Sequence, residues 1–488
     1  MISRLSLYVL SCIAVIASSA AAQIGDSEFR ARRDSLIARL PPNAVVVAFG
    51  ERDEIGFPAF YQSPNFRYLT GLSEPNAILV IAGRDRGGHA QGVLFRQDRS
   101  PSDVLFNGVL EEATALTRRT ELAVLPLAQF AGAIDSLVTA GRPLFMVRDT
   151  RSYGGVTDTL TRGYVFASTL RRRLPSATIQ SADAEILALR ARKSETEQVL
   201  IHKSAEITSQ SVNDAIRSIR PGQHEYHVQA MIESGFRSRG ADAHPGFATN
   251  VSAGMNSTTA HHRAAEAVLE GGAMVLMDVG AAYQGYAADL TRTVPVNGTF
   301  SPAQRDIYQL VRDAQASAER AATLGAPGGA MGDSAAVTIA RGLARLGLIE
   351  SADAMFDPPW ADRCVRNPGP CRQSYFYYFH GVGHGIGLDV HDPAQFANGA
   401  PDSRVVKQGD AFTIEPGIYI DARRLELLPD TPKNRAFIAK ARAALTKYDG
   451  IGVRIEDDYL AKPGGPERIT SAAREIAEIE SLMQSVRP

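Results

Sequence analysis

Three histidines, His380, His384 and His391, fall within twelve residues of a chain that has only ten, and Gly381, Gly383, Gly385 and Gly387 are interleaved with them. Imidazole is the commonest metal ligand and titrates near neutrality, while glycine lets backbone approach closely at little steric cost. The stretch reads as a metal or proton-transfer site. Carboxylates supply the other donors. Asp278 and Asp289 occupy two strand-like runs, 274–280 and 286–294. With Tyr283 and Gln284 at the centre of the connecting turn, the two are expected directly opposite on one face of an antiparallel pair, their Cβ atoms roughly 4.5–5.5 Å apart. Carboxylates so placed repel one another unless a cation lies between them. Glu415 in the run 412–419 and Glu456 in the run 451–457 are each carried by an apolar, strand-like segment, and a buried carboxylate needs a partner. Glu415 has no basic neighbour in sequence. Arg454 shares a face with Glu456 by strand alternation and offers it an ordinary ion pair. Asp278, Asp289, Glu415, Glu456 and one imidazole make a hard, oxygen-rich donor set, unlike the thiolate sets of structural zinc. Such a set suits two divalent ions such as Mn2+, Co2+ or Zn2+, able to hold a hydroxide and polarise a carbonyl. Spacing alone leaves open whether His380 or His384 is the nitrogen ligand.

These groups need a scaffold, and 488 residues exceed what one core usually holds. From about Ser27 to Leu187 the pattern is mixed α/β: strand-length apolar runs at 44–49, 77–82 and 143–147, with helical stretches at 29–40 and 127–139. No titratable cluster occurs there, so this half reads as scaffold, specificity or oligomer contacts. Near Leu187 the pattern changes. Ser194 with Glu197 fits a capping box opening a long helix whose apolar face continues through Leu200, Ile201, Ala205 and Ile207; a second helix starts after Pro221-Gly222, and strand-rich sequence begins near Pro245.

A net charge of −1 supplies no basic surface, so nucleic-acid binding is set aside. Residues 1–22 read as an export signal: Arg4, an apolar run from Leu5 to Ala17, and Ala20-Ala21-Ala22 before Gln23. A lipid anchor at Cys12 fits poorly because the apolar segment continues past it. No other apolar stretch is long enough to span a bilayer. In an exported compartment Cys364 and Cys371, separated by a Pro-Gly-Pro turn, are expected to form a disulfide.

The order Asp278, Asp289, His384, Glu415, Glu456, each in its motif (Met-Asp-Val-Gly, Ala-Asp-Leu-Thr-Arg-Thr, the His-Gly stretch, Thr-Ile-Glu-Pro-Gly and Val-Arg-Ile-Glu-Asp), resembles the metal-dependent peptidases of the pita-bread superfamily. That superfamily includes methionine aminopeptidase, prolidase and aminopeptidase P. The run from Gln62 to Gly71, followed by Glu74-Pro75-Asn76-Ala77, is similar to the amino-terminal signature of the proline-specific branch. The resemblance implies an α+β protein: residues 23–187 a smaller, creatinase-like mixed α/β domain, residues 188–488 a pita-bread catalytic domain. It implies His384 as the nitrogen ligand, Glu415 as both ligand and general base, and Arg454 as support for the ligands. His261, His380 and His391 are implied as substrate-contacting or proton-moving groups, with His262 at a position that is often aromatic. A dinuclear centre, Mn2+ first, and a dimer or tetramer follow from the same likeness. The implied activity is exported Xaa-Pro aminopeptidase, with Xaa-Pro dipeptidase the nearest alternative. A non-catalytic binding protein and a metal-free amidinohydrolase on the same fold are both disfavoured by the full ligand set. Two segments, 351–378 and 421–449, look extended and border the site, where they are expected to roof the cleft.

Overall fold

The structure is a computed structural model; it describes residues 23–52, 60–148, 161–263, 266–360, 371–393 and 405–485. The expected export signal with Cys12, and Cys364 of the expected cysteine pair, lie outside the described residues; Cys371 is disulfide-bonded. The chain divides into two compact units, Met1–Ala191 and Arg192–Pro488.

The first unit is organised by β1 (Val45–Phe49), a run of β-branched and apolar residues buried along its whole length. It is covered on both faces, which is why its sequence shows no polar alternation. Around it β2 (Ile78–Arg84), β3 (Ala90–Arg96), β4 (Ala123–Pro126), β5 (Leu144–Val147) and β6 (Ile179–Ser181) form one mixed sheet in the order β4-β3-β2-β1-β5-β6. The neighbours of β1 are β2, antiparallel, and β5, parallel. Phe130, Ile134 and Val138 of the helix Phe130–Thr139 pack on Val45, Val47 and Phe49. The Gln62–Gly71 signature forms a corner. Gln62 accepts from the amides of Glu51 and Ser63 and donates to the Glu74 carbonyl, at 2.6, 2.9 and 2.9 Å. The helix Pro64–Thr70 starts on its proline and stops at Gly71, whose φ of 70° favours glycine.

The second unit opens with the helix Glu195–Ser218, and the Ser194–Glu197 capping box is formed. The helix Glu225–Ser238 follows the Pro221-Gly222 break. Strands β7 (Asn250–Ala253), β8 (Met274–Val279) and β11 (Leu290–Pro295) make a sheet in the order β11-β8-β7, and β9 (Ala282–Tyr283) pairs with β10 (Tyr286–Ala287) in a hairpin. The helices Pro302–Ala321 and Gly329–Arg345 pack into the same core. Short β12 (Met355–Phe356) and β13 (Cys371–Arg372) pair next. Finally β14 (Ala411–Ile414), β15 (Gly417–Tyr419), β16 (Gly452–Arg454), β17 (Asp457–Lys462) and β18 (Gly465–Arg468) form the ladders β14-β17-β18 and β15-β16.

Two expectations are corrected here. The hairpin turns at Gln284-Gly285, one residue later than expected, because Tyr283 faces Tyr286 and both turn residues have positive φ, 50° and 83°. Two positive φ values make the tight two-residue turn that matches strand twist, and glycine belongs in it. Asp278 therefore lies opposite Thr291 rather than Asp289. The displacement is two residues, so face parity is kept. Secondly, Glu415 and Glu456 are not carried within strands: Glu415 lies in the gap between β14 and β15, and Glu456 in the gap between β16 and β17.

Candidate metal centre

Asp289 also occupies a gap, between β10 and β11. Outside a regular ladder the backbone can aim a carboxylate off the strand axis, and three different gaps converge on one point. His384 reaches that point along a second path. Residues 382–386 run beside β14, with Thr413 N donating to His384 O at 2.8 Å, Glu415 N to Val382 O at 2.7 Å and Ile386 N to Ala411 O at 3.0 Å. This register puts His384 opposite Thr413 and diagonal to Glu415 on the same face. It requires glycine at 383, where a Cβ would meet Thr413 O at 2.0 Å.

At the centre His384 Nε2 lies 3.4 Å from Asp289 Oδ2, 3.5 Å from Glu415 Oε1 and 3.9 Å from Glu456 Oε1. Its other nitrogen, Nδ1, is 3.0 Å from the Gly385 carbonyl, to which only N–H can donate. Nε2 thus presents its lone pair to the carboxylates, the orientation a ligating histidine needs. Burial, followed by His391, lowers His384 to about 3, so the ring is neutral. Lone pair facing carboxylate oxygen is repulsive unless a cation intervenes. Asp289 Oδ1 and Glu456 Oε1 have no hydrogen-bond partner. Burial raises Asp289 and Glu456 well above ordinary carboxylates, with Glu456 and Glu415, respectively, the next contributors, and raises Glu415 to about 8. Orphaned lone pairs, a neutral oriented imidazole and mutually repelling carboxylates fit a divalent ion. Ligand atoms of Asp289, His384 and Glu456 all lie within 4.8 Å of one another.

Asp278 joins through Arg454, whose Nη2 pairs with Asp278 Oδ2. Glu456 Oε2 lies 3.9 Å from Arg454 Nε, so the expected Arg454–Glu456 contact exists but the Asp278 contact is closer. Burial works against the charge on Arg454, yet Tyr419, Asp278, Glu456 and Glu415 together raise it well above the ordinary guanidinium.

Residues 199–463, more than half of the chain, match the profile of Metallopeptidase family M24, and residues 29–145 match that of the Aminopeptidase P, N-terminal domain. The chain belongs to metallopeptidase family M24. The Xaa-Pro aminopeptidase of Haemophilus influenzae is 30% identical over 476 residues, which cover 95% of this chain and 98% of that one. The Xaa-Pro dipeptidase of Pyrococcus horikoshii is 30% identical over 433 residues, 88% and 97% of the two chains. Among solved structures, Pseudomonas aeruginosa aminopeptidase PepP matches with a TM-score of 0.77 at 29% identity, covering 95% of this chain and 99% of that one. The second unit is the pita-bread domain of M24, and the first is the aminopeptidase P amino-terminal domain.

Around the M24 centre the remaining candidates take distinct places. The His391 ring lies 4.0 Å from that of His384, centroid to centroid. Exposed His261 acts electrostatically on both His391 and His380. His262 turns away, its Nε2 being 3.5 Å from buried Glu225. His380 Nε2 is 2.9 Å from Tyr419 Oη, and its Nδ1 lies 3.9 Å from Glu415 Oε2 and 2.8 Å from the Gly381 carbonyl. Since Nδ1 donates to that carbonyl, Nε2 accepts from the Tyr419 hydroxyl, whose oxygen accepts from Arg454 Nη1 at 2.8 Å. Burial lowers His380 to about 3, consistent with this neutral tautomer.

Four contributors escape sequence reasoning. Tyr419 links Arg454 to His380. Thr291 accepts from Arg454 Nε at 3.0 Å and donates to Glu456 Oε2 at 2.7 Å. Thr413 accepts from the His384 amide at 3.1 Å, and Asp458 accepts from the Asp289 amide at 3.0 Å. Only Thr291 carried a usable signal, alternating with Asp289 along the same run.

Proposed function

We propose that this chain is an exported Xaa-Pro aminopeptidase that works with two divalent ions, Mn2+ first, and releases the residue before proline at the amino terminus of peptides. The supporting observation is His384 Nε2 directed at Asp289, Glu415 and Glu456 with carboxylate oxygens left unpartnered. Asp289, His384, Glu415 and Glu456 would hold one ion; Asp278, with Asp289 and Glu456, would hold the second. Bound metal supplies Lewis acidity toward the scissile carbonyl and a water of lowered pKa.

The protein groups do the rest. Glu415 takes a proton from the attacking water as the new C–O bond forms, and returns it to the proline nitrogen as the C–N bond breaks. That return is required because a tertiary amide nitrogen leaves poorly without a proton. Neutral His391, on the rim beside His384, donates to the oxyanion. His380, held by Tyr419 and close to Glu415, orients the leaving side, and His261 contacts the substrate. Arg454 holds Asp278 and, through Thr291, Glu456 in position. Export rests on residues 1–22 and on the expected Cys364–Cys371 bridge; a homo-oligomer rests on the family likeness.

The test compares Ala-Pro with Ala-Pro-Gly, using protein lacking residues 1–22, with Mn2+, Co2+ or Zn2+ and with chelator. Metal-dependent release of alanine from the tripeptide is expected. Cleavage confined to the dipeptide would transfer the chain to the dipeptidases, and no cleavage with metal bound would end the proline assignment.

A further inference from the structure

Described residues of the two segments expected to roof the cleft line a pocket. Trp360, Tyr375 and Phe376 come from the first, Arg424 and Leu427 from the second, and Phe379 closes the floor around a cavity of about 370 Å³. That volume suits one large side chain or small ligand. The segments are locked together. Asn434 in the helix Pro432–Tyr448 accepts from Asp357 N at 2.9 Å and donates to Asp357 O at 2.8 Å. Phe437 of the same helix packs against Phe356 and Phe376, with ring centroids 5.9 and 5.4 Å away. Arg424 is fixed as well: its guanidinium lies over the Phe379 ring, 5.2 Å from the centroid, and donates to Thr258 O. A rigid, largely aromatic pocket binds an apolar side chain without first paying to order itself.

Its position selects the occupant. Phe379 directly precedes His380, and its ring lies 6.2 Å from the His380 ring and 5.1 Å from that of Tyr419. Through Phe379 the pocket therefore backs onto His380 and Tyr419, the flank assigned above to the proline nitrogen.

We propose that this cavity is the subsite for the residue following proline and selects an aromatic or branched aliphatic side chain there. The proposal rests on the Xaa-Pro aminopeptidase reading. The guanidinium of Arg424 at its edge disfavours lysine or arginine at the same position.

The experiment measures kcat/KM for Ala-Pro-Gly, Ala-Pro-Leu, Ala-Pro-Phe and Ala-Pro-Lys, and for Phe-Pro-Gly, with the metal-loaded full-length mature protein and with the variants Leu427→Ala and Trp360→Ala. Leu427 is 59% exposed, so its truncation leaves the fold intact even if that of Trp360 does not. Ala-Pro-Phe is expected to exceed Ala-Pro-Gly by about tenfold, chiefly through KM. Each variant should lower Ala-Pro-Phe severalfold and leave Ala-Pro-Gly within about twofold, because only the apolar contact is removed. Equal rates for Gly, Leu and Phe after proline, with Ala-Pro-Gly still cleaved, overturn the subsite and leave the peptidase reading standing. A variant effect that follows the first residue, on Phe-Pro-Gly and not on Ala-Pro-Phe, overturns the assignment to the third. Absence of cleavage of every tripeptide overturns both.

Discussion

Both units bury charge, but they finish it differently. In the first, Arg33 is 1% exposed and donates to the carbonyls of Leu69 and Thr120 at 2.9 and 2.6 Å, while Arg142 and Arg162 also donate to backbone carbonyls. These three guanidiniums tie separate stretches of main chain together. In the second unit Arg292 and Asp457 form an equally buried pair at 2.6 Å, backed by Gln315 and Thr470. Beside that closed network lie Asp289, Glu415 and Glu456, whose oxygens face one another and the His384 lone pair. Burial in which a charge is bonded to backbone carbonyls or to an opposite charge marks structure. Burial with lone pairs converging and unmatched marks a place for something the chain does not itself supply.

This contrast can be broken most directly at Glu415. Replacing it with Gln keeps the shape and removes the proton carrier, so kcat on Ala-Pro-Gly should fall by roughly 10²–10⁴. Activity within tenfold of the parent would remove Glu415 from the proton path. The melting temperature of the metal-free variant should not drop, since the change relieves repulsion. Arg33→Met tests the other half. Two carbonyls lose their donor, each worth about 1–3 kcal/mol when buried and unmatched. Thermal unfolding should register that loss, while kcat per folded molecule stays unchanged. A fall in kcat without a fall in stability would show the first unit to be more than scaffold.

The smallest effect concerns pH. Burial holds Asp289, Glu415 and Glu456 above their unfolded values, Glu415 at about 8. Below about pH 6.5 the excess protons on these carboxylates are offset by His380 and His384, which burial keeps neutral while the unfolded chain protonates them. Between roughly pH 6.5 and 8 only the carboxylates count, the folded metal-free protein binds more protons than the unfolded chain, and its stability falls as pH rises. Metal-stripped protein should melt several degrees lower at pH 8 than at pH 6.5, and added Mn2+ should erase the difference. A flat profile in stripped protein would mean that the cluster is already neutralised by its own surroundings.

Much of this is legible in the sequence. The continuous apolar run of β1, the capping box at Ser194 and Glu197, and the acidic residues set in apolar sequence all announce themselves through local rules. Symmetry about the two aspartates centres the turn one residue too early, because Gly285 claims the second positive-φ position, a choice made by twist. Glu415 and Glu456 read as strand residues because apolar sequence continues across Pro416 and Ile455; the ladder breaks there only because β14 pairs with β17 whereas β15 pairs with β16. Tyr419, Thr413 and Asp458 looked like ordinary strand residues. Their roles depend on what lies across the sheet.

By itself, then, the sequence determined the chemical inventory: which residues can ligate, which can carry a proton, and which runs must be strands, because side-chain type and short periodicity are local properties. Tertiary structure decided the assignment of that inventory. It directed His384 Nε2 at Asp289, Glu415 and Glu456 by aligning residues 382–386 with β14, tied Asp278 to Arg454, and brought two extended segments into one aromatic pocket. Those decisions rest on contacts between residues tens to hundreds of positions apart, and no spacing along the chain encodes such a distance.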